Sequence, residues 1–154
     1  MNCKSVLHQT EFAVHSITEI LGKLHEEDLH KRPTAGKQSI GELLEHIAVI
    51  CEADWHISNE ATEEEMKRFY SGVSYKTLNL IKEGLTANFK ALKNNYMNLS
   101  DEELLAETTA YWGLTYTRYE WLLEIAAHVY HHRGQLHAML VHCCDLDPEI
   151  SMFE

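Results

Sequence analysis

Proline and glycine are scarce. Pro33 and Pro148 are the only prolines in 154 residues, and glycine occurs seven times. With so few breakers, an all-β chain of many short strands and tight turns has little to build from, and the abundance of Leu, Glu, Ala and Lys points to helix. Cations are outnumbered as well: 13 Lys and Arg stand against 24 Asp and Glu, a formal net charge of −11. DNA affinity is largely phosphate neutralisation by Lys and Arg, so nucleic acid is disfavoured as a partner, and an anionic membrane surface equally so. No run reaches the roughly 18 apolar residues of a membrane span, and Met1 to His8 lacks the apolar segment of a secretory leader. The four cysteines, Cys3, Cys51, Cys143 and Cys144, show no C-x-x-C spacing and read as reduced, mostly buried thiols. Cys143 and Cys144 would point about 100° apart on a helix, which argues against a soft-metal pair. The expectation is one cytoplasmic domain covering residues 1–154, long enough to bury about two thirds of its unfolded surface.

What is present is helical periodicity with start signals. Val6, Leu7, Val14, Ile17, Leu21 and Leu24 recur at helical spacing over residues 4–25, leaving His8, His15 and His25 off the stripe. Residues 26–37 form a polar loop with Arg32-Pro33 and Gly36. Ser39-x-x-Glu42 has the form of a capping box and opens a second helix to about Asn59, with Leu43, His46, Ile50, Ala53 and Ile57 on one face. Thr62-x-x-Glu65 starts a short helix to about Tyr70. A third long helix over 75–98, with Ser74 as its N-cap, carries Leu78, Ile81, Leu85, Phe89, Leu92 and Tyr96 and no histidine. Ser100 to Glu103 caps a short turn. Thr108, Thr109, Tyr111, Trp112, Thr115 and Tyr116 favour an extended segment that bends at Gly113. Tyr111 and Trp112 either wall a pocket or pack over the bundle end, the second being the simpler reading. Thr117 and Glu120 open the last long helix, 118–143. Four long helices with two longer connections make a four-helix bundle with short extra helices, an all-α fold.

On the last helix Trp121, Ile125, His132, Leu136, Met139 and Cys143 share one arc, with His128 at its edge. His128 and His132 are i and i+4, so their rings look the same way. Eleven histidines in 154 positions give about 0.8 such pairs by chance, so the spacing decides nothing alone. An imidazole on a core-facing stripe needs its nitrogens satisfied, by a metal or by backbone and carboxylate. His46, third and inward on a separate helix, makes the metal reading concrete. Three His without a fourth protein ligand describe an open site of the catalytic kind, with zinc first and nickel, iron or copper also suited to imidazole. Glu42 and Glu124, each one turn before a proposed ligand, are candidate acceptors for the rings' other nitrogens. His131, about 60° beyond His128, points away from the core, and Arg133 reads as solvent-facing. Gly134 either marks close approach by another segment or is a tolerated imperfection of the helix. Di-iron bundles need Glu-x-x-His on two helices, and no such pair fits.

Two stretches carry a resemblance: Gln38-Ser39-Ile40-Gly41-Glu42-Leu43-Leu44-Glu45-His46-Ile47, and His128-x-x-x-His132-Arg133-Gly134-Gln135-Leu136. They resemble the DinB/YfiT-like superfamily of metal-dependent enzymes over essentially the whole chain, in length, helix order and His-motif spacing. The resemblance implies an up-down-down-up four-helix bundle, often a homodimer, with one zinc or nickel on three His that fall on His46, His128 and His132. Many relatives have Trp where Gln38 stands, a departure that bears on pocket lining more than on the metal. The implied activity is transfer of a low-molecular-weight thiol, such as bacillithiol, mycothiol or glutathione, to an electrophile, or thiol-dependent isomerisation of a small molecule. A metal-dependent hydrolase of the same fold and a non-enzymatic metal-binding or stress-related bundle are the rival readings.

Overall fold

The computed structural model describes residues 2–154. Six α-helices, α1 (Cys3–Leu21), α2 (Ile40–Ile57), α3 (Glu63–Gly72), α4 (Leu78–Met97), α5 (Asp101–Leu105) and α6 (Arg118–Cys143), are joined by a 3₁₀ turn at Glu26–His30 and a hairpin of β1 (Glu107–Thr109) and β2 (Thr115–Thr117). The start signals act as expected. Ser39 Oγ accepts from Glu42 N at 3.1 Å while Glu42 Oε2 accepts from Ser39 N at 2.7 Å. The same reciprocal pair forms at Thr62–Glu65 and at Ser100–Glu103, and Thr117 caps α6 by accepting from Glu120 N. In the hairpin Thr108 pairs with Tyr116, and Gly113 takes φ +92° at the turn, a conformation that needs no Cβ.

Two boundaries move. The first helix stops at Leu21, and part of the expected loop is the 3₁₀ turn. The third long helix begins at Leu78 under Thr77 rather than under Ser74. Its start is set from a distance: Tyr75 N donates to Glu45 Oε1 at 2.8 Å and Leu78 N to Glu26 Oε1 at 3.0 Å. These bonds hold residues 75–77 out of the helix, and nothing local announces them.

The four long helices α1, α2, α4 and α6 enclose the core. Each of α1 and α2 packs on both α4 and α6, so α1 stands diagonal to α2 and α4 diagonal to α6. Cross-helix contacts give the directions. Along α2, Glu45 meets Lys76 just ahead of α4, and Ala48 and Trp55 meet Asn88 and Tyr96 on α4, a parallel pair. Gln9 meets Tyr130 and Ser16 meets Arg133, so α1 and α6 are parallel too. His46 lies by His132 and Asp54 by His128, so α2 and α6 run antiparallel. The bundle is therefore up-down-down-up. Ile17, Leu44, Ile47, Leu85, Leu92 and Val129 lie in its fully buried core. A smaller apolar cluster, with Ala53, Ile57, Met66 and Trp121 at its centre, closes the end where α3 and the hairpin lie.

Among the described residues no helix is long and apolar enough to cross a membrane. Cys3 and Cys51 are buried, Cys144 is half-buried and Cys143 is exposed, all as free thiols.

Gly41, in the first turn of α2, sets how closely the 3₁₀ turn approaches. A Cβ there would stand 2.9 Å from the carbonyl oxygen of Leu29, an obstacle of backbone rather than of a movable side chain. Gly41→Ala is expected to destabilise the fold by about 1–3 kcal/mol, outweighing a helix-propensity gain of about 1 kcal/mol. Urea denaturation reads this directly, and an unchanged or raised midpoint would show that the 3₁₀ turn yields.

Candidate metal centre

His46 sits in the middle of α2, beside the buried Leu43, Ile47 and Ile50. His128 and His132 sit one turn apart on α6, flanking Ile125, Val129 and Leu136. All three rings are half-buried at the seam between the two helices, at the rim of the core and not in its centre. His46 Nε2 lies 3.4 Å from His128 Nε2 and 3.2 Å from His132 Nε2. Among the described residues these three are the only group of three or more His, Cys, Asp and Glu brought together in this way. The sequence-expected ligands thus meet, and no fourth protein ligand joins them.

The far side of two rings is occupied. Asp54, two turns beyond His46 on α2, places Oδ2 2.7 Å from His128 Nδ1. Gln135 places Oε1 2.8 Å from His132 Nδ1. Carboxylate and amide oxygens only accept, so the proton of each ring is held at Nδ1 and the Nε2 lone pair faces its neighbours. Two lone pairs therefore point into one small space, and a single proton on His46 Nε2 satisfies only one of them. A cation satisfies all three. Tetrahedral zinc with Zn–N bonds of about 2.05 Å sets its ligand nitrogens about 3.3 Å apart, and both separations agree with that edge. The donor set fits a divalent transition metal.

The electrostatics divide the rings. Burial, followed by the charges of His132 and His128, pushes His46 down to about 4. Burial also lowers His132. His128 moves the other way because Asp54 accepts its proton. At neutral pH the ring most resistant to charging, His46, is the one with no hydrogen bond to its other nitrogen.

Several expectations about the surroundings need correction. Glu42 does not serve a ligand: it is turned to Arg32, with Oε2 2.9 Å from Nη1, and the guanidinium holds its carboxyl down at about 2. Glu124 is exposed and makes no bond to His128. Asp54 and Gln135 hold the rings instead. Spacing offered a signal for Gln135, one turn after His132, and none for Asp54, whose partner lies on the other helix. Arg133 is not solvent-facing but 2% exposed, because α6 is covered by α1 as well as by α2. Its Nη1 donates to Ser16 Oγ at 3.0 Å and its guanidinium lies 4.5 Å from the Tyr130 ring. Cys143, expected inward, is exposed. No atom approaches within 4 Å of a Cβ at Gly134, so no segment needs glycine there. His131 is exposed as expected, its ring against His132 at 4.8 Å between centroids. Trp112 packs edge-on to Trp121 at the bundle end while remaining 52% exposed.

Comparison with known proteins places this geometry. A crystal structure described as a DinB-family member from Exiguobacterium sibiricum 255-15 is 29% identical with a TM-score of 0.86, over 98% of this chain and 97% of that one. A DinB-like protein from Bacillus cereus ATCC 10987 shares the fold at 19% identity and a TM-score of 0.72, with 90% of each chain covered. A mycothiol-dependent maleylpyruvate isomerase shares the fold at 13% identity and a TM-score of 0.67, over 88% of this chain and 61% of that one. No protein of curated function matches. The profile of the DinB superfamily matches residues 9–136, from the first turns of α1 to the turn after His132. The chain belongs to the DinB superfamily.

Proposed function

We propose that His46, His128 and His132 hold one divalent transition metal, zinc first and nickel second, and that the chain is a metal-dependent enzyme transferring a low-molecular-weight thiol to a small electrophile. The observation that carries the reading is the pair of Nε2 lone pairs turned toward His46 by the bonds from Asp54 and Gln135. Such an arrangement of neutral rings is unfavourable without a shared cation. Three protein ligands and no fourth describe a site that keeps a position for a reactant. A metal bound there supplies a Lewis acid that lets a thiol ionise near neutral pH. The chain's own residues supply the rest: Asp54 and Gln135 retain the Nδ1 protons and fix the two ring planes, while burial keeps His46 neutral. Thiol is placed ahead of water because an enzyme of this fold uses mycothiol, as its description states. The reactant is a small molecule, since the net charge of −11 opposes nucleic acid and anionic membrane surfaces.

Elemental analysis of protein prepared without an affinity tag should find close to one transition metal per chain. His46→Ala should abolish retention and His131→Ala should leave it intact. Asp54→Asn, which removes the charge behind His128, should weaken metal affinity about 10–100-fold. Metal-free wild type, or equal losses in the two His variants, would refute the ligand set.

The ring titrations have a definite order in the metal-free protein. His128 is raised, so its favourable contribution is complete below about pH 6.5 and fades as pH rises through its folded value. His46 is lowered to about 4 from 6.5. Stability therefore falls as pH drops through that window, because the unfolded chain takes up a proton that the buried ring refuses. Histidine NMR should show His128 protonating first and His46 last, and the reverse order would remove the role given to Asp54.

The transferase reading is checked with metal-loaded protein, a panel of thiols and a generic electrophile. Acceleration above the uncatalysed rate should require both metal and thiol. Acceleration by metal-loaded protein in the absence of any thiol would favour hydrolysis instead.

A further inference from the structure

Along α6, Gln135, Met139 and Cys143 fall one turn apart on a single face and form one wall of a groove. The opposite wall is the segment Pro33 to Gln38, between the 3₁₀ turn and α2. The rise of the helix from Gln135 to Cys143 makes the groove about 12 Å long. Its volume of about 470 Å³ lies within the range of small-molecule sites.

The loop wall is held in place. Thr34 O accepts from Lys37 N at 3.1 Å, and Gly36 takes φ +73°. The Arg32 guanidinium binds the Lys37 carbonyl and the Glu42 carboxylate together. The charges of this stretch are unequal in availability. Lys31 is paired with Asp28 at 2.7 Å and Arg32 with Glu42. Lys37 makes no ion pair among the described residues and lines the groove. No Asp or Glu lines it, in a chain that carries 24 of them. Thr34, Gln38 and Gln135 supply neutral polar groups. Gln135 has its oxygen committed to His132 Nδ1, which leaves its NH₂ to donate.

The geometry points to this groove as the subsite that holds the carboxylate-bearing end of the small-molecule reactant, with Lys37 as its cation and Gln135 linking it to His132. The inference rests on the metal-dependent reading and adds the class of ligand: an anion, about three residues long when extended at roughly 3.5 Å each. A carboxylate entering here meets an unpaired ammonium and amide donors, and a charge-assisted hydrogen bond is the stronger kind. A neutral or cationic thiol gains neither.

The probe is S-methylglutathione, which keeps two carboxylates and has no free thiol to engage a metal. Amide shifts are followed on metal-free and metal-loaded full-length protein. Shifts should concentrate at residues 34–38 and at Gln135, Met139 and Cys143 in both forms. Lys37→Glu should weaken the probe's binding about tenfold or more, with metal content and the amide spectrum elsewhere unchanged. The S-methyl derivative of cysteamine, which has no carboxylate, should shift none of these residues. Binding elsewhere, equal binding of both probes, or an affinity indifferent to Lys37→Glu would overturn the inference. A protein that takes up no metal when it is offered, yet binds the probe in the groove, would leave the subsite standing and remove the metal reading, so the two failures are separate.

Discussion

The site depends on the antiparallel contact of α2 with α6 and on the two hydrogen bonds that arrive behind its rings. Bringing three imidazoles together at a half-buried seam is costly unless their nitrogens are satisfied. Asp54 and Gln135 satisfy two of them on the outer side, and in doing so decide which nitrogen of each ring looks inward. Without those acceptors each ring could turn over, and the inner space would hold a mixture of donors and lone pairs. With them, His128 and His132 are committed to presenting lone pairs. The inward face of the cluster is thus shaped by residues that do not belong to it.

Much of this was readable from residues. The i, i+4 pair His128 and His132 announces its own shared face, and His46 lies among apolar positions on a helix whose start Ser39 and Glu42 mark. The acceptors were not readable by the same logic, and α2 shows why. It carries four carboxylates: Glu42, Glu45, Glu52 and Asp54. Nearness along the chain favours Glu42, one turn from His46. In the folded protein Glu42 closes its own helix cap and binds Arg32, Glu45 receives Tyr75 N and Lys76 Nζ, and Glu52 lies by His56. Asp54 is the one turned to α6. That assignment follows from which helix packs beside α2, a fact held by no local stretch.

Periodicity also misjudged the width of the buried face on α6. A single stripe centred on His132 leaves Arg133 in solvent, yet α6 packs on both α1 and α2, and Arg133 is buried against Ser16 of the first. The histidines consequently occupy the border of the face. That border is also where a metal ligand belongs if a reactant is to reach it. Arg133 is tolerated because Ser16 accepts from it and the Tyr130, Phe153 and Phe12 rings lie about its guanidinium, a setting suited to a weakly hydrated cation. Nothing in the structure explains why position 134 is glycine.

The topology connects these details. In an up-down-down-up bundle α1 and α2 stand diagonally, so α2 gains α6 as an antiparallel neighbour and α4 as a parallel one. Antiparallel pairing makes positions later on α2 face positions earlier on α6: His46 meets His132, and Asp54 meets His128. Had the two helices run parallel, Asp54 would lie beyond His132 and the carboxylate would serve neither ring. The histidine-free α4 then acts from behind. Asn88 donates to Ala48 O at 2.9 Å, and Tyr96 packs edge-on to Trp55 at 5.3 Å between centroids. One contact falls between His46 and Asp54 and the other immediately beyond Asp54, so α4 grips the turns of α2 that carry both. Packing on the far side of α2 thereby fixes its rotation, and the rotation of α2 decides whether one histidine and one carboxylate face α6 together.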